Sequence, residues 1–227
     1  MASASSAVPA PSADLTLAEM RAVLAPRIAA EAAFDGWSMA AVDSAAAVFG
    51  ITPASARLAF AGGAMDIIAA WIAGIYDAMA QALPQASLAA LPVRERIRRL
   101  IMFRLEATAQ TREALRRALA IMAMPQNLAQ TAKLGWHSAD VMWRLAGDVA
   151  TDYNHYSKRA ILGAIYAASL AVFVDDQSEG QADTAAFVNR RIDGVMQFEK
   201  AKARLLQGGD AHFSPARFLG RLRYPAR

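Results

Sequence analysis

The chain contains no cysteine. Disulfides, thiolate metal sites and a cysteine nucleophile are therefore excluded. Histidine is scarce as well, confined to His137, His155 and His212, which argues against a multi-histidine metal centre. Charged residues make up only 19%, and strand-length runs of β-branched and aromatic residues are nearly absent. No dinucleotide fingerprint, P-loop, nucleophile elbow or paired metal-ligand helix motif occurs. No metal or cofactor is therefore expected. No stretch reaches the ~20 uninterrupted apolar residues needed to cross a bilayer. Met1–Ala13 is Ala/Ser/Pro-rich and uncharged, without the apolar core of a signal peptide or the arginines of a mitochondrial presequence. The expectation is a disordered tail over 1–13 on a cytoplasmic protein, at most peripheral to a membrane.

What the chain does have is alanine and helical pattern. Hydrophobic residues reach 56%, much of that alanine, the best helix former. The fold class expected is all-α. The net charge of +4 is unevenly placed, with +6 carried from Lys200 onward and −2 by the rest. Thr16 and Glu19 have capping-box spacing, and Leu17, Met20, Val23, Leu24 and Ile28 continue at helical spacing. Ser38 and Thr52 suit N-caps, and Pro53 the first helical position. Helices over 39–48 and 53–60, joined by a Gly-containing turn, spell a helix-turn-helix within 14–63. A longer helix over 64–83 follows. The second helix of the motif offers only Arg57 as a cation, too little for phosphate contacts, so no nucleic-acid partner is expected and the motif is taken as a scaffold.

From Pro92 onward, Val93, Ile97, Leu100, Ile101 and Leu105 form an apolar stripe, and Arg94, Glu95, Arg96, Arg98 and Arg99 a solvated face. Thr111 and Glu113 open another helix, Pro125 ends it, and a further one runs over 127–146. The segment 160–174 is uncharged, with small residues at Gly163, Ala164, Ala167, Ala168 and Ala171. Asp183 or Thr184 would cap a last long helix. Two long terminal helices with unmatched apolar faces predict a homodimer through a four-helix bundle. In the tail, Phe218, Leu219 and Leu222 among Arg217 and Arg221 suit the headgroup region of an acidic membrane.

The densest polar stretch is 140–166. Gly147 suits a helix end and Thr151 or Asp152 the next N-cap. Asp148, Asp152 and His155 could do acid–base work, but such a cluster more often caps helices and pairs with Lys158 or Arg159. The run Met142-Trp143-Arg144-Leu145-Ala146-Gly147-Asp148, followed by Thr151-Asp152-Tyr153-Asn154-His155-Tyr156 and Arg159, closely resembles the signature of the coenzyme Q (ubiquinone) biosynthesis accessory family. The resemblance covers about 17–200, with His155 standing where eukaryotic members carry Trp. It implies a TetR-like fold: the helix-turn-helix, then an all-helical lipid-binding and dimerisation domain over 64–202 and a basic amphipathic tail over 203–227. It also implies a non-catalytic protein that binds an isoprenoid lipid or ubiquinone precursor and presents it to a ubiquinone-pathway hydroxylase at the membrane surface. Under it, the lipid-binding candidates are Leu100, Phe103, Leu119, Met122, Trp143 and Tyr166. Met142, Asp152, Asn154, His155 and Tyr156 would face the partner, with Trp143 on the same surface, and Phe218, Leu219, Leu222, Arg217 and Arg221 the membrane. The alternatives are a TetR-like transcriptional regulator sensing an apolar ligand and an enzyme using Asp148, Asp152 and His155.

Overall fold

A computed structural model of the chain describes residues 15–149 and 153–207. Ten α-helices are found among them: α1 (Leu17–Asp35), α2 (Met39–Val48), α3 (Pro53–Ala59), α4 (Ala64–Ala82), α5 (Gln85–Leu88), α6 (Val93–Glu106), α7 (Arg112–Met122), α8 (Leu128–Leu145), α9 (Tyr153–Asp175) and α10 (Ala182–Gln207). The all-α expectation holds. The described residues up to Val188 form one compact unit, and those from Asn189 to Gln207, all helical, belong to a second.

Local chemistry explains the first three helix starts. Thr16 and Glu19 form the reciprocal capping box, with the Thr16 N–H donating to Glu19 Oε2 at 2.8 Å. Ser38 and Thr52 accept from Ala41 N and Ser55 N, and Pro53 occupies the first turn of α3. Gly50, at φ +65°, makes the turn between α2 and α3. The helix-turn-helix is therefore present. α1 runs straight through Pro26, because burial of Leu24, Ala25, Ile28 and Ala29 outweighs the hydrogen bond that proline cannot make.

α1 is the shared element of the first unit, packing on α2, α3, α4 and α7. Trp37, just after α1, donates its indole N–H to Ala114 O of α7 at 2.9 Å and lies 5.1 Å from the Trp71 ring of α4. α6, α7 and α8 each pack on α9. By length and composition the stretch His155–Asp175 could reach across a bilayer. Yet Leu162, Tyr166, Ser169 and Phe173 are buried, and a Cβ at Gly163 would stand 4.0 Å from Ala139 Cβ and the Gly135 carbonyl of α8, so α9 faces α8 at this point. Of the small residues of this stretch, Gly163 faces α8 while Ala164, Ala167 and Ala171 stay exposed.

The start of α10 differs from the sequence expectation. Neither Asp183 nor Thr184 supplies the cap. The carboxylate of Asp176, just beyond α9, instead accepts from the Thr184 N–H at 2.8 Å and its hydroxyl, and from the Ser178 N–H at 2.8 Å and its hydroxyl. Burial raises the Asp176 carboxyl, but these four donors outweigh it and hold the group well below the ordinary carboxylate range.

Candidate functional site

The polar stretch that stood out in the sequence forms the junction of α8 and α9. α8 ends in a Schellman motif: Gly147 at φ +88° donates to Arg144 O, and Asp148 N–H to Trp143 O, each at 2.9 Å. Arg159 of α9, 2% exposed, reaches back to this turn. It donates to Asp140 Oδ1 at 2.6 Å, to Asp148 Oδ2 at 3.1 Å and to the His155 carbonyl at 3.1 Å. Lys158 Nζ holds the other Asp148 oxygen at 2.7 Å, and Arg144 the other Asp140 oxygen at 2.8 Å. Burial raises the Asp148 carboxyl, but the bonds from Lys158 and Arg159 prevail and keep it low. A carboxylate engaged on both oxygens by cations is a poor general base, so Asp148 acts as a structural anion. Asp152 lies outside the described residues, as do Thr151 and the tail residues Arg217, Phe218, Leu219, Arg221 and Leu222. Asn154 lies in the first turn of α9, with its side chain outside the described set.

Trp143 is half-buried; its indole N–H donates to Lys158 O at 2.9 Å, and Lys158 Nζ lies 5.4 Å from its ring centroid. The residue therefore braces the junction from within. Met142 corrects an expectation: at 0% exposure it cannot meet a partner. It falls on the same buried stripe of α8 as Ala139 and Ala146, the helical period that decides its direction. His155 and Tyr156 do reach the surface, where Trp136 of α8 joins them. Ring centroids lie 5.1 Å apart for His155–Tyr156, 6.0 Å for Trp136–Tyr156 and 6.5 Å for Trp136–His155. Tyr156 is 61% and Trp136 38% exposed. Trp136 was missed in the sequence, although it precedes Trp143 by seven residues and so shares its side of α8.

Among the lipid-binding candidates, Leu100 and Tyr166 are buried, while Phe103, Leu119 and Met122 are half-buried on α6 and α7. A further residue stands beside Tyr166. Arg104 of α6 is 2% exposed, with its guanidinium carbon 4.7 Å from the ring centroids of both Tyr76 and Tyr166. Its Nη2 donates to Ser138 Oγ at 3.3 Å, and that hydroxyl also bonds Tyr76 Oη at 2.9 Å. Nε and Nη1 have no hydrogen-bond partner. Sequence reasoning passed over Arg104, although it follows Ile97, Leu100 and Ile101 at the spacing of the buried stripe.

Arg96, expected on a solvated face, is likewise committed. It donates at 2.7 Å to the carbonyls of Leu91, Ala146 and Ala89. Glu95 is the acid that sits among solvated arginines: the hydrogen bonds from Arg98 pull its carboxyl down, burial pushes back, Arg99 adds to the pull, and the result is about 2. In the helix-turn-helix, Arg57 is tied to Asp43, which leaves α3 with its single cation already paired.

Residues 128–199, spanning the α8–α9 junction, match the COQ9 family model. Over this stretch the chain is similar to the COQ9 family. The COQ9 of rat, a mitochondrial ubiquinone biosynthesis protein, is 36% identical over 95 residues, which are 42% of this chain and 30% of the relative. The human COQ9 is 35% identical over the same share. A fission-yeast COQ9, from Schizosaccharomyces pombe, is 28% identical over 165 residues, 72% of this chain and 65% of the relative. The matched stretch thus spans under a third of the mammalian COQ9 proteins. Among solved structures, a TetR transcriptional regulator from Nitrosomonas europaea superposes with a TM-score of 0.62 at 21% identity, covering 77% of this chain and 96% of the regulator. The TetR-like fold expected from the resemblance is thereby found.

Proposed function

We propose that this chain is a COQ9-type, non-catalytic carrier of ubiquinone biosynthesis. It binds an isoprenoid quinone precursor between its apolar helices and presents it to a membrane-associated hydroxylase of the pathway. The observation that carries this reading is the COQ9 match over 128–199, which falls on the part of the fold where an exposed aromatic face adjoins a buried apolar interior. Trp136, His155 and Tyr156 would meet the hydroxylase, with the ion-paired junction behind them holding the face in shape. Aromatic residues at a surface are the usual anchors of a protein interface. Helices α6, α7 and α9 would enclose the lipid chain, with Leu100, Phe103, Leu119, Met122 and Tyr166 as lining candidates. The exposed alanines of α9, with α10, would form a homodimer. The basic segment from Arg217 to Leu222 would rest on the inner-membrane surface of a cytoplasmic protein.

A regulator's role is disfavoured by the pairing of Arg57 with Asp43, since DNA affinity depends on free cations at the phosphates. Native mass spectrometry of gently purified protein is the decisive experiment. A dimer carrying co-purified quinone or prenylated lipid is expected. A ligand-free protein that also takes up no prenylated lipid when supplied with it would sink the reading, and a monomer by light scattering at micromolar concentration would remove the dimer from it.

A further inference from the structure

A guanidinium is a permanent cation with five N–H donors, and removing one from water is costly unless charge and donors are both met. Arg104 meets neither demand in full. It is 2% exposed, and no carboxylate among the described residues is paired with it. The faces of Tyr76 and Tyr166, each 4.7 Å from its guanidinium carbon, offset part of the charge through their ring quadrupoles. A single bond at 3.3 Å to Ser138 Oγ satisfies one donor. Nε and Nη1 remain without acceptors. By contrast, the buried Arg159 holds two aspartates, and Asp176 accepts from four donors.

We propose that Arg104, framed by Tyr76, Tyr166 and Ser138, is the anion-binding end of the apolar site, receiving a terminal oxyanion carried on an apolar chain. This deepens the carrier reading above and rests on it. The chemistry follows from what is missing. An oxyanion supplies both the countercharge and the acceptors that the vacant N–H groups of Nε and Nη1 require, and charge-assisted bonds to a guanidinium are stronger than neutral ones. A neutral hydroxyl or carbonyl would supply acceptors alone. The surroundings select for the rest of the ligand: the neighbouring positions Leu100, Ile101 and Leu105 are apolar and buried. The ligand would then lie with its charged end among α4, α6, α8 and α9 and its chain along the apolar helices.

The test uses a matched pair, farnesoic acid and farnesol, titrated into the full-length protein at neutral pH, with inorganic phosphate as a third probe. The two isoprenoids differ only in ending in a carboxylate or a hydroxyl. The acid is expected to bind at least tenfold tighter than the alcohol to the wild-type protein. In Arg104→Met the acid should fall to the level of the alcohol, whose own affinity stays within about twofold. The contrast is measured in the wild type, so it stands even if Arg104→Met fails to fold; Arg104→Lys, which keeps a cation, should retain part of the preference. Equal binding of acid and alcohol overturns this inference alone, the vacant donors then being met by buried water. Phosphate that raises the melting temperature of the wild type but not of Arg104→Met, with no acid preference, also overturns it, in favour of a small free anion. Binding of neither isoprenoid overturns the carrier reading and this inference with it.

Discussion

The Arg159 network gives the sharpest quantitative test of how the α8–α9 junction is held. Substituting Arg159 by Met removes a side chain that is 2% exposed and bonded to both Asp140 and Asp148. Truncating one partner of a buried ion pair ordinarily costs about 3–5 kcal/mol, because the remaining charge is stranded. Here neither acid is wholly abandoned, since Arg144 still holds Asp140 and Lys158 still holds Asp148. The lower end of the range applies, about 3 kcal/mol, or a fall in melting temperature of about 6–12 °C for a domain of this size. Lys158→Met and Arg144→Met are the controls. Their side chains are 40% and 71% exposed, and such pairs contribute about 1 kcal/mol or less. Urea unfolding followed by far-UV circular dichroism would rank the three, with unchanged m-values required so that midpoints can be compared. If Arg159→Met lost less than about 1 kcal/mol, or no more than Lys158→Met, the junction would be a solvated surface network and the reasoning would be refuted.

Three further outcomes are expected. Trp37→Phe keeps a ring against Trp71 but removes the indole donor that the Ala114 carbonyl accepts in addition to its α7 bond; a loss of about 1 kcal/mol in chemical denaturation is expected, and no loss would mean that the bond is replaced by water. Gly147→Ala places a side chain at φ +88°, with its Cβ 3.2 Å from Arg96 Nη1. It should cost about 1–2 kcal/mol for the left-handed backbone alone, and a melting temperature equal to wild type would contradict the Schellman geometry. The folded-state value of Asp176 is depressed, so its stabilisation is complete above its unfolded value of about 3.9 and is lost as pH falls through the lower folded value. Stability plotted against pH should therefore decline less steeply below about pH 4 in Asp176→Asn than in wild type, and parallel curves would refute the capping role.

The parts that were legible in the sequence are those whose causes lie within a few residues. The Thr16–Glu19 box, Pro53 at the head of α3 and the glycine end of α8 are local chemistry, and all three stand where spacing put them. The pairing of Asp148 with Lys158 and Arg159 was also foreseeable from type and spacing. What escaped were contacts made across the chain. Asp176 caps α10 over a loop, Arg96 reaches carbonyls as far as fifty residues away, and a surface reading of the arginines of α6 could not separate it from Arg98 or Arg99. Met142 was misplaced because a motif taken as a surface hid the buried stripe running through it. Arg104 was overlooked because a charge on an apolar stripe is usually dismissed as a break in the pattern.

Arg96 has a consequence for how this fold can vary. Its one side chain fastens Ala89 and Leu91, ahead of α6, to Ala146 at the close of α8. The short connection between α5 and α6 therefore acts as a gauge for the turn that launches α9. Lengthening that connection by even a residue would withdraw two of the three carbonyls and leave the guanidinium holding only one. A relative with a longer α5–α6 loop must then secure its Gly147 turn by some other side chain, and the loop and that side chain should change together.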